Sequence, residues 1–460
     1  MANTLQQKID QAGGPLAMLR DTGAGGYVFP VVPGEQTSWQ NEQRAWMEDC
    51  VLMDQTHHMD DLYIEGPDIV RLLSDTGINN FAKFRPGMAK QHIMCNAEGY
   101  LIADNIVAWL NDGRAMSAGL GPGNNWLEYQ ALTGGYDVQL TKSPRTPPFW
   151  DGRPIERAYW RFQIQGPKAW ALIEKLNGAS VADIGFFRMT TINIAGRQVE
   201  ALRHGMAGAA GLEIWGPIAE QQEILGTILE AGKEFGLQQV GNRAYATSAV
   251  ESGWLGALFP AVYTSPSMQA YREWLPALTL EGFFQLGGSF ESTRMEDYYK
   301  TPFDVNYDPF IHFDHDFIGR DALRAMMADK DAQRRKVTLE WNGEDVARIY
   351  GSLYTDGPQY KFPDIPVALY AFGLNDRVEL DGRLVGLSMI PATTLNARRM
   401  ISLASLDRDV PIDAQVELVW GERPGAYTNV RVEPHEQTRV RATVRPSPYT
   451  KVAREELRQR

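Results

Sequence analysis

Two stretches of the chain, one hundred residues apart, carry the same alternation of apolar and polar positions. Leu62-Tyr63-Ile64-Glu65-Gly66-Pro67 leads into Asp68-Ile69-Val70-Arg71-Leu72-Leu73, and Phe162-Gln163-Ile164-Gln165-Gly166-Pro167 leads into Lys168 to Leu176, with Ile, Gly, Pro and a helix Leu in register. The pattern predicts a strand, a Gly-Pro turn and a helix with proline at its first position, where the missing N–H costs nothing. Recurrence of such a unit implies two related α+β halves.

The intervening patterns fit this division. Lys90 to Ile106 alternates around Asn96-Ala97-Glu98-Gly99 and predicts a hairpin, and Gly121-Pro122-Gly123-Asn124 introduces a short helix over Trp126 to Leu132. Ser143 to Pro148 reads as an extended linker, which places a seam near residue 150. Thr190 to Leu202 predicts a second hairpin, Gly211 to Pro217 a strand and Ala219 to Phe235 an amphipathic helix. From Lys336 the pattern changes to short strands at Lys336 to Trp341, Asp376 to Leu380, Arg383 to Ile390, Gln415 to Trp420 and Asn429 to Glu433, as in a small barrel or sandwich. The expected organisation is α+β: subdomains over 1–150 and 151–290, a connector over 291–335 and a β-barrel-like domain over 336–460.

Composition narrows the function classes. The 460 residues are 44% hydrophobic and 22% charged, with acidic residues outnumbering basic ones by 57 to 45. An acidic globular protein is a poor general ligand for nucleic acid or anionic lipid, so both are set aside as partners. The first ten residues have no apolar signal segment and no run of about 18 apolar residues occurs, so a cytoplasmic protein is expected. Two cysteines, Cys50 and Cys95, are too few for a disulfide framework, a structural zinc site or an iron–sulfur cluster, and are expected as buried free thiols.

Two segments concentrate candidate chemistry. Asp54-Gln55-Thr56-His57-His58-Met59-Asp60-Asp61 and His312-Phe313-Asp314-His315-Asp316 hold four of the seven histidines, yet neither has the spacing of a zinc site. No metal is expected. Adjacent histidines on a strand point to opposite faces, so one of His57 and His58 should face inward, as a satisfied core histidine or as a group that moves a proton near pH 7. Arg203 to Trp215 is punctuated by Gly205, Gly208 and Gly211 and ends on a strand carrying Glu213. It lacks the dinucleotide fingerprint, and no Walker lysine occurs in the chain. Such a loop is either a plain turn with a surface carboxylate or a close backbone approach to a ligand, with Glu213 gripping an aminopyrimidine edge.

That stretch resembles the Arg-Thr-Gly-Tyr-Thr-Gly-Glu-x-Gly-Phe-Glu motif of the glycine-cleavage T-protein family of tetrahydrofolate enzymes, matching at Arg203, Gly205, Gly208, Gly211 and Glu213. Phe317 to Leu323 is similar to the family's Phe-Ile-Gly-Lys-x-Ala-Leu, and Leu384-Val385-Gly386-Leu387 to its C-terminal barrel domain. The resemblance covers essentially the whole chain and implies three domains in a ring around a central folate channel. Within the family, Asp54 to Met59, Trp160 to Trp170, Leu202 to Gly208, Tyr271 to Pro276 and Phe313 to Leu323 resemble the tetrahydrofolate-dependent aryl O-demethylases that act on vanillate and syringate. The chain departs from T-proteins at Tyr245 and Ala246, which stand where those have arginine and aspartate, and at Asp104-Asn105, which replaces an Asp-Asp pair. It departs from the vanillate enzymes at Leu120, where those carry an arginine before Ala-Pro, so an aryl carboxylate would be held elsewhere or be absent.

The resemblance implies a methoxyarene substrate and tetrahydrofolate as methyl acceptor; a monomer or small homo-oligomer is expected, the sequence not deciding between them. Moving a methyl from an aryl ether requires positioning and a hydrogen-bond donor at the leaving phenolate, for which Tyr245 is the candidate, its reference pKa of about 10 matching a phenolate of similar basicity. His58 would hold the neighbouring phenolic hydroxyl; Gln55, Tyr27 and Leu120 would line the aryl pocket; Glu213, Trp254, Arg203 and Gln165 would serve the folate. The alternatives are a folate enzyme for a small amine or sulfonium donor, a non-catalytic folate-binding assembly factor, whose Lys-Gly-Cys-Tyr-x-Gly-Gln-Glu signature does not occur, and a purely structural protein.

Overall fold

The structure, a computed structural model, describes residues 2–21, 30–147, 154–206, 208–256, 258–429 and 431–456. The first half supplies strands β1 (Val51–Asp54), β2 (Asp60–Glu65), β3 (Ala89–Cys95), β4 (Leu101–Trp109), β5 (Ala115–Gly119) and β6 (Gln139–Ser143). The second supplies β7 (Tyr159–Gln165), β8 (Met189–Ile194), β9 (Arg197–Leu202), β10 (Gly211–Pro217) and β11 (Gln238–Gln239). They form a five-stranded sheet ordered β3-β4-β5-β2-β6 and a six-stranded sheet ordered β11-β1-β7-β10-β9-β8. Both expected hairpins are present as β3-β4 and β8-β9.

The sequence repeat is a structural one. β2 turns at Gly66 (φ 131°) into a helix over Ile69–Thr76, and β7 turns at Gly166 (φ 125°) into a helix over Ala169–Asn177. A Cβ on either glycine would run into a neighbouring backbone, the Asp137 carbonyl in one copy and the Asp49 carbonyl in the other. The helices start two residues after the proline rather than on it. Pro167 occupies the turn closed by the Ala169 N–H on the Gly166 carbonyl (3.0 Å), a place that suits its fixed φ equally well.

The strand preceding each repeat unit pairs with the strand of the other unit. β1 runs antiparallel to β7, with Val51 opposite Gln165, and β6 runs antiparallel to β2, with Asp61 opposite Ser143. Although it lies within the first 150 residues, β1 is therefore a strand of the second sheet. The linkers that follow β1 and β6 both cross the seam between the sheets. They meet there: the Thr146 N–H donates to the His57 carbonyl (3.0 Å), and His57 Nδ1 lies 2.9 Å from Thr146 Oγ1.

The C-terminal region adds β12 (Leu286–Gly287), which pairs with β14 (Gly373–Leu374), and a closed barrel. The barrel comprises β13 (Arg334–Trp341), β15 (Asp376–Leu380), β16 (Arg383–Thr394), β17 (Arg399–Asp407), β18 (Gln415–Trp420) and β19 (Thr438–Arg445), in the order β13-β17-β16-β15-β18-β19. Trp341 and Trp420 meet edge to face in its core at 5.2 Å. The strand expected over Asn429 to Glu433 is absent among its described residues. Asn429 Oδ1 instead accepts the Arg431 N–H (2.9 Å), a local turn that competes with strand pairing, and β17 and β19 complete the barrel. In the connector, His315 Nε2 lies 3.1 Å from the Gly77 carbonyl, and His312 Nδ1 accepts the Asn80 N–H (3.2 Å), so both histidines tie it to the first half. Cys50 and Cys95 are buried free thiols. No described helix is long and apolar enough to cross a membrane.

Candidate functional site

A cavity of about 160 Å³ opens where the two sheets and the barrel unit meet. The first half contributes His58, Asp104 and Leu120 to its wall, the second His204, Glu213 and Tyr245, and the third Leu369, Phe372 and Ile390. A larger opening of about 250 Å³, between Asp60, Lys142, Arg145 and Phe283, contains none of the residues given a catalytic, substrate or folate role from the sequence.

His57 and His58 lie in the turn after β1, not on a strand. The turn is set by the Asp54 carboxylate, which accepts the Thr56 N–H (2.9 Å), and by the Gln55 N–H, which donates to the Arg161 carbonyl (2.9 Å). His57 is spent on Thr146 across the seam, and His58 turns inward and is 5% exposed. Burial depresses the His58 pKa well below its ordinary value, and the guanidiniums of Arg161, Arg145 and Arg157 depress it further. The imidazole is neutral at pH 7.

Tyr245 reaches this turn from a helix over Asn242–Glu251. The helix is fixed to the barrel through Glu251, which is hydrogen-bonded by Thr394 and, at 3.0 Å, by Trp46 Nε1. The Tyr245 hydroxyl lies 3.0 Å from His58 Nε2 and accepts from Gln55 Nε2, also at 3.0 Å. His58 Nε2 thus meets Tyr245, where the sequence assigned it to a substrate hydroxyl. Gln55, expected on the wall of the aryl pocket, is 1% exposed and lies behind Tyr245, where its amide also donates to Gln163 Oε1 (3.1 Å).

Another part of the cavity wall is built on buried charge. Glu213 Oε1 accepts from Arg161 Nη1 (2.9 Å), Arg161 Nη2 donates to Asp61 Oδ1 (2.7 Å), and Asp61 Oδ2 accepts from Arg157 Nη2 (2.8 Å). Trp254 is held by its indole N–H on Asp104 Oδ2 (3.1 Å), which also accepts from Gln91 (2.8 Å) and Tyr307. Burial raises the Asp104 pKa, while these three donors lower it. Asn105 is turned away, donating to Ser117 Oγ and Asn124 Oδ1 at 3.0 Å each, so its amide is engaged by buried side chains.

The structure therefore brings His58, Tyr245, Leu120, Glu213 and Trp254 to one cavity and leaves Gln55, Arg203 and Gln165 off its wall. Arg203 donates to the Ile184 carbonyl (2.8 Å) and lies over the Trp170 ring, and Gln165 holds the His204 carbonyl (3.2 Å); neither is on the cavity wall. Arginine at the start of the glycine-punctuated loop anchors it instead. Tyr27 lies outside the described residues. Sequence reasoning missed His204, whose signal was its place in the Leu202 to Gly208 stretch, and missed Leu369, Phe372 and Ile390, which had none. Among the described residues no group of three or more His, Cys, Asp or Glu side chains converges as a metal site.

Residues 24–257 match the model of the GCVT N-terminal domain. The chain is 40% identical over 455 residues to a syringate O-demethylase of Sphingobium sp. strain SYK-6, covering 99% of this chain and 97% of that protein. It is 30% identical over 438 residues to a sesamin methylene transferase of a Sinomonas species, covering 92% and 91%. It is 27% identical over 235 residues to an aminomethyltransferase of Lysinibacillus sphaericus, covering 50% and 59%. The crystal structure of the glycine cleavage system aminomethyltransferase T from Bartonella henselae superposes with a TM-score of 0.60 at 15% identity, covering 94% of this chain and 98% of that one, a likeness of fold.

Proposed function

The chain belongs to the family defined by the GCVT N-terminal domain, and from that premise we propose that it is an aryl O-demethylase, moving the methyl group of a methoxylated aromatic acid of the syringate, vanillate or 3-O-methylgallate class to tetrahydrofolate. The products are a catechol-type arene and 5-methyltetrahydrofolate. The observation that carries this reading is the convergence of the His58 imidazole and the Gln55 amide on one phenolic oxygen, that of Tyr245, at the wall of the cavity.

The residues fit the acceptor. Glu213 offers a carboxylate to the donor edge of an aminopyrimidine, and the Trp254 ring, on the wall of the same cavity, offers a flat apolar face. Tetrahydrofolate, when bound, supplies the nitrogen that receives the methyl group. The protein's part is to hold the arene and to stabilise the phenolate as it leaves. In the Nε2–H tautomer, His58 joins Gln55 in donating to the Tyr245 oxygen, which turns the phenol's own hydrogen away from both, toward the cavity. There it can donate to the ether oxygen as charge develops. A neutral His58 suits this task, since a protonated imidazole would leave the site with an uncompensated buried cation.

The test is anaerobic incubation of the protein with tetrahydrofolate and, separately, vanillate, syringate, 3-O-methylgallate, guaiacol and glycine-cleavage substrates, with 5-methyltetrahydrofolate measured by mass spectrometry. Methylfolate from an aryl acid is expected. Methylfolate from none of the arenes would remove the demethylase reading and favour an amine or sulfonium donor.

A further inference from the structure

Glu213 owes its direction to a residue that received no role from the sequence. Arg161 is 4% exposed and lies between two carboxylates from different sheets, Asp61 of β2 and Glu213 of β10. On β7, Arg161 pairs with Trp215 and Gln163 with Glu213, so Arg161 and Glu213 are diagonal neighbours across adjacent strands. A guanidinium can span such a pair of acceptors because its two terminal nitrogens diverge from a rigid plane. With Arg157 completing the row, the four charges alternate in sign and sum to zero, a condition for burying them.

The two carboxylates depend on Arg161 unequally. Asp61 retains Arg157 when Arg161 is removed, whereas the hydrogen bond from Arg161 is the one that engages Glu213 Oε1 and thereby directs the rest of the carboxylate to the cavity. We propose that Arg161 is a positioning residue whose guanidinium, braced by Asp61 across the seam between the sheets, fixes the Glu213 carboxylate in the orientation that receives the pterin. The proposal rests on the folate reading given above. A carboxylate set before binding loses less freedom when the ligand arrives, and this appears as affinity. It also makes the Glu213 carboxylate dependent on the pairing of β6 with β2, because Asp61 belongs to the strand that β6 braces.

The test is a double-mutant cycle read by anaerobic calorimetry with tetrahydrofolate, using Arg161→Lys, Arg161→Met and Glu213→Gln in the full chain. Lysine keeps the charge but cannot span both carboxylates. Each Arg161 variant should weaken tetrahydrofolate binding about tenfold in the wild-type background and produce no further loss in the Glu213→Gln background. In turnover, KM for tetrahydrofolate should rise while KM for the arene stays unchanged, a split that general loosening of the fold would not give. Where Arg161→Met does not accumulate as folded protein, Arg161→Lys carries the cycle, and its crystal structure should show Glu213 rotated from its present position. Equal losses with and without Glu213, or no loss in either background, would overturn the proposal. Failure of the wild-type protein to bind tetrahydrofolate would overturn the folate reading and this proposal with it, whereas wild-type binding without coupling overturns this one alone.

Discussion

The Tyr245 hydroxyl lies 3.0 Å from Nε2 of His58, although the residues are 187 positions apart and belong to different halves of the chain. The contact depends on the seam: the turn after β1 carries His58 there from one side, and the helix over Asn242–Glu251 brings Tyr245 from the other. If Tyr245 donates to the leaving oxygen, its hydroxyl matters in the transition state and little in binding. Tyr245→Phe should lower the rate of methyl transfer by about 10²- to 10⁴-fold while tetrahydrofolate affinity changes less than twofold. Single-turnover kinetics and calorimetry separate the two, and an unchanged rate would exclude Tyr245 from the chemistry.

The depressed pKa of His58 has a signed consequence for pH. The unfolded chain protonates this histidine below about pH 6.5 while the folded protein does not, so the unfolded state binds more protons and stability falls as the pH falls through that range. Urea unfolding should show the stability difference between wild type and His58→Gln shrinking from pH 7.5 to pH 5.5. The same substitution should slow methyl transfer about tenfold without moving an inflection between pH 6 and 8. A wild-type inflection near pH 6.5 that vanishes in the variant would contradict a neutral His58.

Leu120 precedes the helix over Gly121–Thr133 and faces the cavity. An arginine there would offer a forked cation to a carboxylate. Leu120→Arg should lower KM for vanillate about tenfold relative to guaiacol, which lacks the carboxylate. An unchanged ratio of the two would place the aryl carboxylate away from Leu120.

The paired turns make a stability prediction. Gly66→Ala and Gly166→Ala each combine positive φ with a backbone collision and should each destabilise by about 3 kcal/mol, measured by chemical unfolding. Gly226, exposed in the helix over Gln221–Gly232 with open space around it, is the control: Gly226→Ala should stabilise by about 1 kcal/mol. Similar small effects at all three positions would show that the turn glycines are not structurally required.

The amino-acid sequence alone determined the local units of this protein. Its repeat, both hairpins and four of the six barrel strands are legible because alternation, helical spacing and turn glycines act over a few residues. The glycine-punctuated loop marked Glu213; one histidine of the pair does turn inward, but not by the strand alternation the sequence suggested, since both lie in a turn. Only the tertiary structure decided which sheet β1 joins, that Gln55 lies behind Tyr245 rather than on the cavity wall, and that Arg203 and Gln165 brace a loop away from the cavity. Local sequence marked Arg203, at the head of the glycine-punctuated loop, and gave no role to Arg161 within β7. Their roles differ because Arg161 meets two carboxylates across the seam and Arg203 meets a carbonyl and an indole ring. Such partners are set by strand pairing between distant segments, and the free energy of burying a charge depends on what those distant segments bring to it.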